Sequence, residues 1–108
     1  MKPRAFQIQP QDNVATMVVD AAGGSVELAG AGRGEVSARE KISRGHKVAL
    51  RDIAADEAVV KSGVRIGHAT QPIPCGAWVH LHNLASDLDE RSNTLDPHSG
   101  APTDTVYE

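Results

Sequence analysis

Short stretches of alternating apolar and polar residues, punctuated by glycine and proline, run along most of this chain. Phe6-Gln7-Ile8, Ser25-Val26-Glu27-Leu28 and Glu35-Val36-Ser37-Ala38-Arg39-Glu40 each alternate with the period of a half-buried strand. Gly23-Gly24 makes a turn before the second of these. Gly30, Gly32 and Gly34 lie in a loop without the strand-to-helix setting of a phosphate cradle, so they read as a hairpin tip. Ile42-Ser43-Arg44-Gly45 turns into His46-Lys47-Val48-Ala49-Leu50. Only Val14–Val19 is ambiguous: Asp12 is placed to cap a helix, whereas the β-branched content fits a strand. Any helix is confined to a short segment near residues 13–20.

A phrase recurs downstream. Ile53, a short turn and Val59 are followed 20 residues later by Ile73, a short turn and Val79. Two copies are too few for a solenoid and fit a pseudo-symmetric β fold with short strands. Composition agrees, because ten glycines and six prolines with three aromatics among 108 residues suit a compact β domain better than a helical bundle. The length allows one domain, placed at residues 1–85. Residues 86–108 change to Ser, Asp, Asn, Pro and Thr and read as a tail that is disordered or ordered by a partner.

Charge divides at the same boundary. Residues 86–108 carry six acids against Arg91, while the first 85 residues carry eight acids and ten bases. A mildly basic body without exposed aromatic and basic stripes excludes a nucleic-acid binder and is compatible with small anions. No apolar run approaches the ~20 residues needed to span a bilayer, and Met1-Lys2-Pro3 opens no signal peptide. The lone Cys75 excludes an internal disulfide. These features fit a cytoplasmic protein.

Chemistry concentrates in two places. Trp78-Val79-His80-Leu81-His82-Asn83 sets two imidazoles two residues apart, so an extended strand would present His80 and His82 on one face with Val79 and Leu81 turned into the core. Upstream, His46-Lys47 forms a second compact polar pair. Imidazoles suit proton transfer near neutral pH, and lysine suits a carboxylate. His68 and His98 read as structural or inert, and Cys75 has no companion thiol. A metal would need a third ligand beyond His80 and His82, from His46, Asp87 or a partner chain. No tightly held metal is expected on this chain alone.

The order of these motifs resembles a known family. Arg51-Asp52-Ile53-Ala54-Ala55-Asp56-Glu57-Ala58-Val59 is similar to the signature of SAF domains, with Asp56 where the signature has glycine. Asp12-Asn13-Val14-Ala15, Gly45-His46-Lys47-Val48-Ala49-Leu50, Ile66-Gly67-His68-Ala69 and Val79-His80-Leu81-His82-Asn83 follow the order found in the small N-terminal region of altronate and galactarate dehydratases. The small subunit of sulfolactate sulfo-lyase is similar. The resemblance spans about residues 6–85. It implies a mainly β, β-clip fold and a lyase acting on hydroxy acids.

In that family a large second region carries much of the active site, which points to this chain as a small subunit joined to a large dehydratase-type partner. His46, His80 and His82 are then the catalytic candidates, with Lys47 and Asn83 as substrate-binding candidates. The expected substrate is a small anionic hydroxy acid, and a divalent, iron-like metal in the complex and a homo-oligomer are both compatible with this reading. The competing expectation is a non-catalytic β-clip module that binds carbohydrate or a partner.

Overall fold

The computed structural model describes residues 2–86 and is β throughout, with no helix among them. None of its elements is a helix long and apolar enough to cross a membrane. Nine strands form two sheets: β1 (Arg4–Gln7), β2 (Val14–Val19), β3 (Gly24–Gly30), β4 (Glu35–Ala38), β5 (Lys47–Ala49), β6 (Ala58–Lys61), β7 (Val64–Ala69), β8 (Trp78–Val79) and β9 (Leu84–Ala85). The larger sheet has the order β4-β3-β1-β2-β5-β8 and the smaller β6-β7-β9. All neighbours are antiparallel except β1 and β3. The described residues thus form the mainly β domain of short strands expected from the sequence. Asp87, His98 and the acidic segment beyond Ser86 lie outside the described residues.

The ambiguous segment is a strand. Val14, Ala15 and Met17 are buried, and β2 pairs with β1 on one side and β5 on the other. A helix would have left the edges of both neighbours without hydrogen-bond partners, so tertiary pairing decides what the local cap signal could not. Asp12 instead ties the two sheets together. Its carboxylate accepts hydrogen bonds from the backbone N–H of Gln9 at 3.0 Å, Ser62 at 2.9 Å and Gly63 at 2.8 Å. Asn13 continues the link, accepting from the Val60 N–H at 2.8 Å and donating to the Ala58 carbonyl at 2.9 Å.

The recurring phrase has three copies. Ile42, Ile53 and Ile73 each make an isolated antiparallel bridge, and the last two bridge each other. Each is followed by a four-residue turn in which the fourth N–H donates to the first carbonyl: His46 to Ser43, Glu57 to Ala54 and Ala77 to Pro74, all at 3.0 Å. The third residue of each turn has positive φ: Gly45 at 89°, Asp56 at 69° and Gly76 at 87°. This is the type II pattern, which favours glycine at that position. The copy starting at Ile42 precedes the next by 11 residues instead of 20, so a constant-period search misses it. The signature residues are structural too: Arg51 pairs with Glu57 at 2.6 Å, and Glu57 also accepts from the Ala54 N–H at 2.8 Å across its turn.

The turns feed strands that stand between two apolar cores. One core gathers Ala5, Ala15, Met17, Val26, Val36, Ile42 and Val48. The other gathers Val14, Ala49, Ile53, Val59, Ile73 and Val79. Successive side chains of β5 therefore go to opposite cores, Val48 to the first and Ala49 to the second. That is why the short β5, Lys47 included, is buried along its whole length.

Candidate active site

The turn before β5 and the turn after β8 meet because those strands pair, with Lys47 opposite Val79 and Val48 opposite Trp78. Arg44, Gly45, His46, Lys47 and His80 line a cleft of about 180 Å³, large enough for a small acid group. Lys47 is only 6% exposed. The His46 and His80 rings stand 4.7 Å apart, centroid to centroid. His46, Lys47 and His80, distant in sequence, thus form one wall.

Arg44 and Trp78 belong to this assembly and were not singled out as site residues from sequence. Arg44 occupies the second position of the Ser43–His46 turn, and its backbone N–H donates to Asp20 at 2.6 Å. Its position just before Gly45-His46-Lys47 was the signal available. Trp78 is the hub of the ring cluster: His80 stacks on it at 5.4 Å with 13° between planes, His82 lies at 4.7 Å, and His46 lies at 5.7 Å. The indole Nε1–H donates to His46 Nδ1 at 3.1 Å.

The expected strand face at 78–83 is corrected. β8 ends at Val79, and residues 80–83 form a turn. His80 and His82 therefore do not project in parallel from a strand, and Leu81 is 63% exposed instead of entering the core. Asn83 explains the change. Its side-chain carbonyl accepts from the His80 N–H at 2.9 Å while its amide donates to the Trp78 carbonyl at 2.9 Å. An asparagine that satisfies its own backbone neighbours stops a strand and starts a turn. Asn83 is buried and holds His80 in place, and neither it nor His82 lines the cleft.

His68 lies on β7 in the smaller sheet, between Ala58 of β6 and Ala85 of β9. Cys75 is half-buried beside the Leu50 carbonyl, with its own N–H bound by Asp52 at 2.8 Å. Among the described residues, no group of three or more His, Cys, Asp or Glu side chains is arranged to hold a metal ion. At His46 the Nδ1 lone pair is already engaged by the Trp78 N–H.

Comparison with known proteins agrees with this architecture. The family model for the altronate/galactarate dehydratase SAF domain matches residues 3–87. Altronate dehydratase of Bacillus subtilis is 37% identical over 85 residues, covering 79% of this chain and 17% of that protein. Altronate dehydratase of Escherichia coli is 39% identical over 85 residues with the same coverage. Subunit alpha of (2R)-sulfolactate sulfo-lyase from Chromohalobacter salexigens is 48% identical over 46 residues, covering 43% of this chain and 49% of the subunit. The chain thus spans less than a fifth of the two dehydratases and about half of the sulfo-lyase subunit.

Proposed function

Because the chain belongs to the SAF-domain family of the altronate/galactarate dehydratases, we propose that it supplies one wall of a hydroxy-acid lyase active site completed by a large dehydratase-type partner. The observation that carries this reading is the cleft in which Lys47 and Arg44 stand beside the imidazoles of His46 and His80. The likeness to a named sulfo-lyase subunit supports the small-subunit role.

Elimination from a hydroxy acid removes a proton next to a carboxylate and expels a leaving group from the neighbouring carbon. The first step builds a second negative charge next to one already present. It needs fixed cations around the oxygens, a base near neutral pKa and an acid for the leaving group. In this cleft Lys47 and Arg44 bind the carboxylate and offset the developing charge. His80 takes the proton, and His46 donates a hydrogen bond to an oxygen. His82, against the Trp78 ring but outside the cleft lining, is left to the partner's share of the site. Loss of water or of sulfite uses the same first step, so this wall serves either chemistry.

Co-expression with a large dehydratase-type chain from the same genome, followed by assay of 2-keto acid from altronate, galactarate and sulfolactate, tests the proposal. Turnover of one of these acids is expected only with both chains present. His80→Ala should then cost roughly 10²–10⁴ in kcat, the span general acid–base catalysis supplies. Absence of turnover on all three acids, or turnover by the large chain alone, overturns the reading. Full activity of His80→Ala in the complex would favour a non-catalytic binding module.

A further inference from the structure

Trp78 is held more firmly than packing alone requires. Its backbone N–H donates to Glu40 at 3.0 Å, and its carbonyl accepts from Asn83 at 2.9 Å. Its indole lies against His80 and His82 and directs Nε1–H at His46 Nδ1. An indole nitrogen only donates, so the imidazole nitrogen facing it must present a lone pair. Neutral His46 then carries its proton on Nε2. Nδ1 is engaged and cannot act as a base, and Nε2 is the atom left to serve the cleft.

We propose that Trp78 is a positioning residue that locks His46 as the Nε2–H tautomer, making His46 a hydrogen-bond donor and leaving proton abstraction to His80. The tautomer follows from the Trp78–His46 geometry alone, whereas its catalytic consequence rests on the function proposed above. Fixing an imidazole's tautomer through the nitrogen remote from the chemistry is a general device for assigning donor and acceptor roles. Here the orienting group donates to the imidazole instead of accepting from it, and so selects a donor facing the cleft. The arrangement also separates two rings of the same chemical type that stand 4.7 Å apart.

The lock is read directly by long-range 1H–15N correlation NMR of the labelled chain at a pH where its imidazoles are neutral. Wild-type His46 should show an unprotonated Nδ1 and a protonated Nε2. Trp78→Phe keeps an aromatic ring against His80 and His82 but removes the donor, and should move His46 toward a mixture of tautomers. A wild-type His46 that is already mixed or Nδ1-protonated overturns the lock without any variant having to fold. So does a Trp78→Phe spectrum unchanged at His46.

In the two-chain enzyme, Trp78→Phe should lower kcat about tenfold with KM nearly constant, the scale of one misdirected hydrogen bond. His46→Gln, which retains a side-chain N–H donor, should preserve more activity than His46→Glu. In the His46→Gln background, Trp78→Phe should have little further effect. A locked tautomer with kcat unmoved by Trp78→Phe would overturn the positioning role while leaving the active-site reading intact. Activity indifferent to His80→Ala would instead defeat that reading.

Discussion

Ile53 and Ile73 clasp each other across a single antiparallel bridge, each donating its N–H to the other's carbonyl, at 2.7 and 2.8 Å. Both side chains are 1% exposed and lie in the same core as Val59 and Val79. The two copies of the phrase meet at this bridge, and both isoleucines belong to one core. Truncating either to alanine should cost about 2–5 kcal/mol, and either to valine about 0.5–1.5 kcal/mol. Because they share one cavity, the double alanine variant should cost less than the sum of the singles. Urea unfolding followed by Trp78 fluorescence measures all three, and strict additivity would mean that the two sites relax independently.

The three turns give an internal control for glycine. Gly45 and Gly76 both have positive φ, but a Cβ at Gly45 meets open space, whereas one at Gly76 would overlap the Ser37 carbonyl oxygen. Gly45→Ala should therefore cost only the backbone term, about 1–2 kcal/mol. Gly76→Ala should add a displacement of β4 and cost about 2–5 kcal/mol. Equal losses in denaturant unfolding would show that the carbonyl moves aside freely.

Asp56 holds the same position in its turn with a side chain, at φ 69°. Aspartate tolerates this conformation less well than glycine, while glycine adds entropy to the unfolded chain, and the two effects oppose each other. Asp56→Gly should therefore leave stability unchanged or raise it by up to about 1 kcal/mol. A loss beyond that size in thermal melts would assign Asp56 a specific contact.

Asp12 makes the clasp between the two sheets sensitive to acid. Burial disfavours its charged form, but the N–H groups of Gly63, Gln9, Ser62 and Ile8 together outweigh burial and hold its carboxyl below the ordinary value of 3.8. Its ionisation therefore contributes stability that is present above that value and is lost as the pH falls through it toward the lower native one. Asp12→Asn should weaken the fold at neutral pH and flatten the decline in stability on acidification. Urea midpoints at several pH values between neutral and about 3 measure this, and parallel curves for the two proteins would remove Asp12 from the acid response. Glu35, lowered first by Ser25, and Glu57, lowered first by Arg51, respond in the same direction but from exposed and half-buried surface positions where water screens them.

Much of this protein was legible in the chain itself. Alternation and glycine punctuation placed most strands, because a half-buried strand has a period of two wherever it sits. The Ile53–Val59 and Ile73–Val79 phrases announced pseudo-symmetry, and Asp56 in a glycine position marked a positive-φ turn. The order of Gly-His-Lys and His-Leu-His-Asn pointed to the family.

Three things waited for the tertiary structure. Val14–Val19 is a strand because β1 and β5 claim both its edges, a partnership no local window contains. His80–Asn83 is a turn because the Asn83 side chain bonds both the Trp78 carbonyl and the His80 N–H, so the period that suggested a strand face ended at Val79. And the cleft exists because β5 pairs with β8, which brings His46 and Lys47 against His80 and sets the Trp78 indole on His46. Sequence fixes which groups are available for chemistry. Strand pairing across more than 30 residues of chain decides which of them meet, and through which nitrogen.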